Sequence, residues 1–230
     1  MAAEFDRFAQ EYKELLDQST ACSGESSEYF CQYKANYINR LLRASATPKI
    51  LDYGCGIGLL SKEVSTLQPS ATLHGFDVSE DSLSQVDAGL RSRGVFTSQK
   101  DDLHRDYDLI VISNVMHHIP LEERQATISE MAARLRTSGR LLVFEHNPMN
   151  PLTRLVVAKC PFDENAVLLR PKELRSYFAH AGLQTVRGDY IVFFPRMLSV
   201  FRPAEPFLGW CPAGAQYALL GARRMDGARP

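Results

Sequence analysis

The apolar positions of this chain switch between two periods, and the switching lays out an alternation of helices and strands. Over residues 4–18, Phe5, Phe8, Ala9, Tyr12, Leu15 and Leu16 recur at helical spacing. Over 27–43 the same spacing carries Tyr29, Phe30, Tyr33, Tyr37, Ile38, Leu41 and Leu42, and a polar stretch with one glycine lies between the two. From Ile50 onward short apolar runs of strand length begin at 50–51, 72–76, 95–98, 108–113, 140–146, 183–194 and 216–222. Helical stretches reaching to about 67 and to about 93, and covering 121–137, 152–159 and roughly 170–181, fill the gaps. The run D-L-I-V-I-S at 108–113 is unbroken, as expected of a strand covered on both faces at the centre of a parallel sheet. Strands alternating with helices of this length predict an α/β fold with a doubly wound sheet.

The stretch K-I-L-D-Y-G-C-G-I-G-L-L-S at 49–61 reads as a buried strand, a sharp glycine turn and a helix start. Glycines suit such a turn because they adopt backbone angles closed to other residues. They also let a ligand approach the unpaired N–H groups of a helix start. A dinucleotide fingerprint is spaced G-x-G-x-x-G; here Gly54, Gly56 and Gly58 run G-x-G-x-G, and Leu59 stands where the last glycine of that fingerprint would be. Asp52 precedes the first glycine by two residues, a carboxylate poorly suited to a pyrophosphate and well suited to an ammonium group.

These residues resemble motif I of the class I S-adenosylmethionine-dependent methyltransferases. A second match follows at 108–120, where D-L-I-V, a polar residue and then His117-His118-Ile119-Pro120 are similar to motif IV of the same superfamily. The resemblance implies a Rossmann-like, seven-stranded, mostly parallel sheet, with the runs at 183–194 and 216–222 as a C-terminal antiparallel hairpin. It implies one methyltransferase domain over 1–230: a helical cap at 1–46, a cofactor-binding core at 47–147, and an acceptor-pocket insertion with the hairpin at 148–230. The cofactor implied is S-adenosylmethionine, leaving as S-adenosylhomocysteine. Its expected contacts are Tyr12 of the entry helix, Asp52, Gly54, Gly56, Gly58, Asp77 with the adjoining Val78, one of Asp101 and Asp102 at the adenine, and Asn114 beside the methionine end. Asp77 ends its strand where a ribose would lie, its two oxygens able to accept from vicinal hydroxyls.

Composition narrows the acceptor. Lysine and arginine number 26 against 27 acidic residues, a net charge of −1, which argues against a broad surface for nucleic acid or an anionic membrane. Five scattered cysteines without a C-x-x-C pair suggest neither a disulfide framework nor a zinc site, and point to a reducing, cytoplasmic setting. The N-terminus is too polar for a signal peptide, and no apolar run approaches membrane-spanning length. The N-P-P-Y type of tetrapeptide is absent, so a small molecule carrying an oxygen or nitrogen nucleophile is the expected acceptor. F-L-G-W at 207–210 suggests that this acceptor has apolar character. The candidate proton acceptors are His117, His118, Glu145 and His146, at the carboxyl ends of central strands. His117 is expected to face the pocket and His118 to hold the turn. No D-x-x-D-H metal set is visible, so the sequence predicts a metal-independent enzyme. The rival readings are a methyltransferase-like protein that binds S-adenosylmethionine without methyl transfer (a cyclase, decarboxylase or partner subunit) and, more remotely, an NAD-dependent oxidoreductase.

Overall fold

The computed structural model describes residues 17–18, 20–42, 47–160 and 163–223. Tyr12 and most of the first predicted helix lie outside them. In chain order the elements are helix α1 (Ser27–Leu42), strand β1 (Lys49–Tyr53), α2 (Leu59–Leu67), β2 (Thr72–Phe76), the short helices α3 (Glu80–Ser84) and α4 (Ala88–Arg91), and β3 (Phe96–Thr97). They continue with β4 (Tyr107–Ser113), α5 (Leu121–Arg134), β5 (Leu135–His146), α6 (Pro151–Lys159), α7 (Pro171–His180), β6 (Leu183–Ile191) and β7 (Gln216–Arg223). The seven strands form one sheet in the order β3-β2-β1-β4-β5-β7-β6. β1 through β5 pair in parallel, and β7 runs antiparallel to both β5 and β6. The predicted sheet and its closing hairpin are therefore present.

Alternate residues of the central strands feed two cores. Ile50, Leu109, Val111, Leu142 and Phe144 pack on the α1 and α2 side with Ile38, Leu60 and Val64. Leu51, Ile110, Ile112, Leu141 and Val143 pack on the other side with Ile128, Met131, Leu174 and Phe178. Covering both faces is what turns these strands into near-continuous apolar runs. The strand order reverses direction between β1 and β4, and ligands bind such sheets beyond the carboxyl ends of the strands at that point.

Three boundaries differ from the sequence reading, each for a physical reason. The single helix predicted up to residue 93 is two short ones, because the Asp87 carboxylate accepts from the N–H groups of Gly89 and Leu90 and starts a new turn. The helix predicted to reach 137 stops at Arg134, whose guanidinium donates to the carbonyls of Leu103 and Lys100. Leu135 already pairs with Tyr107, and an irregularity between the pairs Tyr107–Leu135 and Leu109–Arg140 absorbs the intervening residues. Finally, β6 ends at Ile191 rather than 194; Val192 takes a φ of 61°, and 3-10 turns follow over Arg196–Phe207.

Candidate active site

The glycine loop leaves β1 with Gly54, Gly56 and Gly58 all at positive φ, 79°, 52° and 79°. A side chain at Gly54 would also run into Val115, so this position is closed to any other residue. Asp77, just past β2, fastens the loop: its Oδ2 accepts from the Gly56 N–H at 2.7 Å and its Oδ1 from the Ser79 N–H at 3.0 Å. Asp52, in β1, is 4% exposed and accepts from the Ser61 hydroxyl at 2.7 Å. Burial pushes its carboxyl up to about 6, resisted by the Ser61 hydroxyl and reinforced by the neighbouring Asp77 carboxylate. Val78 is exposed beside Asp77. Asp101 and Asp102 sit in a 3-10 turn beyond β3; Asp102 accepts from the Thr97 hydroxyl at 2.7 Å, while Asp101 is exposed.

Asn114 follows β4 with a φ of 56°, an unusual angle for a residue other than glycine. Its N–H donates to the Phe144 carbonyl at 2.9 Å, and its side-chain Oδ1 is buried without a hydrogen-bond partner. A strained residue with an orphaned buried acceptor is a mark of a ligand site. Nearby lies Lys34 of α1, which the sequence reading passed over. It is 5% exposed, donates to the Ser113 hydroxyl at 2.9 Å and lies 5.6 Å from the centre of the Phe144 ring. Burial pulls its pKa down, against the pull of nearby negative groups that include Glu145 and Asp52. A signal existed for it: Lys34 falls between Phe30 and Tyr37–Ile38 on the apolar stripe of its helix, where a charge needs a reason.

The ends of β4 and β5 carry a second cluster. Glu145 is fully buried; one carboxylate oxygen accepts from the Met116 N–H at 2.8 Å and the other lies 2.6 Å from His117 Nδ1. His117 Nε2 lies 3.2 Å from Asp163 Oδ1, and His118 Nε2 lies 3.4 Å from the same oxygen. Burial opposes a charge on His117, but Glu145 and Asp163 outweigh it and push its pKa up to about 9. Burial likewise works against the charge of Glu145, and His117 holds that carboxyl below its usual range. His117 thus differs from the expected pocket-facing base: it is 2% exposed with both ring nitrogens engaged. His146 is partly exposed, its ring centre 5.1 Å from that of His117, and burial together with the His117 charge lowers its pKa to about 4.

No sequence pattern points to Asp163, which lies in an irregular insertion 46 positions from His117. The fold brings it there by two ties. The Val167 N–H donates to the His117 carbonyl at 3.0 Å. Arg124, on α5 and 1% exposed, donates to the carbonyls of Ile119, His117 and Val167 at 2.9, 3.3 and 2.7 Å. The N-P-M-N-P turn secures the other flank: Asn147 Nδ2 donates to the carbonyls of Pro212 and Gly214, and Asn150 caps α6 by accepting from the Thr153 N–H. Phe207 and Trp210 are 79% and 78% exposed, so they are not core residues.

A family model described as a methyltransferase domain matches residues 26–187, well over half of the chain. The ubiquinone biosynthesis O-methyltransferase of Nitrosomonas europaea is 25% identical over 168 residues, spanning 65% of this chain and 69% of that protein. The magnesium-protoporphyrin O-methyltransferase of Synechocystis is 29% identical over 91 residues, 36% of this chain and 39% of that protein. Among solved structures, magnesium protoporphyrin IX methyltransferase from Synechocystis with bound S-adenosylhomocysteine superposes with a TM-score of 0.61 at 20% identity, covering 84% of this chain and 83% of that one. A TehB-like methyltransferase from Corynebacterium glutamicum gives 0.63 at 15% identity over 96% and 99% of the two chains. The glycine loop after β1, the acidic residue after β2 and the antiparallel β7 agree with these matches: the chain belongs to the methyltransferase domain family.

Proposed function

We infer that the protein transfers a methyl group from S-adenosylmethionine to a hydroxyl oxygen of a small-molecule acceptor in a biosynthetic route. One observation carries the reading. The positive-φ glycine loop tied to Asp77, the buried Asp52 and the orphaned Asn114 Oδ1 all lie at the carboxyl ends of β1, β2 and β4, the same edge that carries the His117–Glu145–Asp163 cluster. A donor site and a set of proton-handling groups then share one edge of the sheet. The two relatives named above support oxygen as the acceptor atom, since both are O-methyltransferases.

The bound donor supplies an electrophilic methyl group on a sulfonium, so the protein's own residues are needed for binding, alignment and exclusion of water. Asp52 suits the ammonium group of the donor, and Asn114 Oδ1 offers a second acceptor at that end. Lys34, a buried cation beside Ser113, suits the donor's carboxylate. Asp77 suits the ribose hydroxyls and the exposed Val78 the flat face of adenine. Asp101 and Asp102 are the two candidates for the adenine amino group, with Asp102 already engaged by Thr97. Tyr12 is proposed as a further donor contact from the sequence resemblance alone. His118, Glu145 and His146 stay candidate acceptor-handling residues alongside His117. A near-neutral surface favours a small acceptor over nucleic acid, and Cys31, Cys55, Cys160 and Cys211 form no disulfide, in keeping with a reducing cytoplasm. No helix among the described residues is long and apolar enough to cross a membrane.

Calorimetry with S-adenosylmethionine and with NAD, followed by S-adenosylhomocysteine release over a panel of phenols, enols and carboxylic acids, tests the reading. Binding of the sulfonium ligand and turnover with at least one hydroxyl acceptor is expected. Tight binding of NAD alone would replace the reading with an oxidoreductase; donor binding without turnover on any oxygen, nitrogen or carbon nucleophile would favour a non-methylating role.

A further inference from the structure

The sequence predicts a metal-independent enzyme because no D-x-x-D-H set is visible, yet the fold assembles a different set. One ring nitrogen each of His117 and His118 and one Asp163 oxygen lie within 4.8 Å of one another. The two separations from Asp163 Oδ1 are 3.2 and 3.4 Å. Ligands about 2.0–2.1 Å from a tetrahedral centre stand about 3.3–3.4 Å apart. The spacing is therefore that of two edges of a coordination tetrahedron.

The surroundings match a metal centre as well. A ligating histidine usually donates its other ring nitrogen to a carboxylate, which fixes the tautomer and turns the remaining lone pair toward the ion. Glu145 does this for His117 at 2.6 Å, and it is itself held by the Met116 N–H. Three protein ligands leave a fourth position for water or substrate, the arrangement of catalytic rather than structural sites. Access exists: His117 is sealed at 1% side-chain exposure, but His118 and Asp163 are 18% and 9% exposed. The Val167 and Arg124 ties hold the insertion against the turn after β4, so both halves of the set are fixed before any ion arrives.

We propose that His117, His118 and Asp163 bind one divalent transition-metal ion of the zinc, iron(II) or manganese kind, with Glu145 orienting His117 and the acceptor's hydroxyl filling the open position. Imidazole and carboxylate ligands in equal reach select that class over magnesium or calcium, which prefer all-oxygen sets. The role given to the ion deepens the O-methyl-transfer reading and rests on it; the site itself does not. Coordination lowers the pKa of the bound hydroxyl. The acceptor then gives its proton to bulk water, its oxygen forms the new O–CH3 bond, and the C–S bond breaks with its electron pair onto sulfur, leaving a neutral thioether.

The test uses the full chain stripped with chelator, dialysed, and titrated with Co2+ while the visible spectrum is recorded. One equivalent is expected to give ligand-field bands between about 500 and 650 nm, of the intensity of a four- or five-coordinate ion, and Zn2+ is expected to displace them. Asp163→Ala and His118→Ala should abolish the bands while S-adenosylmethionine affinity, measured in the same samples, stays within about twofold and shows that the fold persists. Glu145→Gln should weaken Co2+ binding roughly 10- to 100-fold, as for other outer-shell partners. Absence of a saturable one-equivalent spectrum, or a spectrum indifferent to both ligand variants, would overturn the site. If the spectrum appears but no acceptor is methylated, the metal site stands and the methyl-transfer reading fails. The reverse pattern, turnover unchanged by chelation in a protein that binds no Co2+, removes the metal and leaves that reading intact.

Discussion

At the scale of single residues, the chemistry of the donor cleft turns on Asp52. Its folded pKa of about 6 lies above the ordinary carboxyl value, so the free protein holds a proton there below pH 6. A bound ammonium group selects the ionised form. Affinity for S-adenosylmethionine should therefore be flat above about pH 7 and fall as pH drops through 6, approaching tenfold per unit as the carboxyl must shed its proton. Calorimetry from pH 5 to 8 in buffers of different ionisation enthalpy would show a proton released on binding near pH 5.5. Asp52→Asn should flatten the profile and weaken binding at pH 7.5; a wild-type profile with no such limb would separate Asp52 from the ammonium group. Gly56→Val should abolish donor binding while the circular dichroism spectrum is kept, because a branched side chain is strained at a φ of 52° and would fill the space the cofactor needs. Asp77→Ala should cost about 1–3 kcal/mol of donor affinity, partly by unfastening the Gly56 N–H. The glycines and Asp52 were legible because strand, turn and helix start lie within residues 49–61, and Asp77 because it closes the next apolar run. Lys34 was overlooked, although one polar residue on an apolar stripe is a readable anomaly. Asp163 was not readable, since no local pattern records a contact made across 46 positions.

At the scale of elements, the strand centres followed from apolar runs, whereas the ends were decided by tertiary hydrogen bonds. The stop of α5 at Arg134 is one case: T-S-G at 137–139 is a plausible helix end, but pairing of Leu135 with Tyr107 claims the chain earlier. Arg124 is the other. It reads as an ordinary charged position on α5, yet it is buried and answers three carbonyls that join α5, the turn after β4 and the insertion. Arg124→Met should destabilise the protein by about 3 kcal/mol, the cost of leaving buried carbonyls without donors. For a chain of this size that lowers Tm by about 6–12 °C. Arg124→Lys should recover little, because one ammonium cannot reproduce the spread of a guanidinium. Scanning calorimetry would decide; a shift under about 2 °C for Arg124→Met would mean that water replaces the guanidinium and that the insertion needs no such tie.

At the scale of the whole molecule, the two cores on opposite faces explain why the alternation of strand and helix was enough to reveal the architecture. What alternation alone does not convey is strand order, and here the last strand lies between two earlier ones: β7 pairs with β5 along one side and β6 along the other. The consequence concerns time rather than space. During synthesis, β5 and β6 both emerge before the strand that joins them, so Leu142 and Phe144 border an open slot and β6 has nothing to pair with. Such bare edges invite pairing with another chain. A chain cut after Ala215 should accordingly self-associate, and a synthetic peptide of residues 216–223 supplied in trans should fill the slot as an added strand and restore a monomeric, cooperatively melting protein. If the shortened chain melts as a monomer without the peptide, the slot closes by itself and order of synthesis carries no hazard. Otherwise, the nascent protein waits with an empty groove for its own final strand, and any chaperone that guards it must hold that groove until β7 appears.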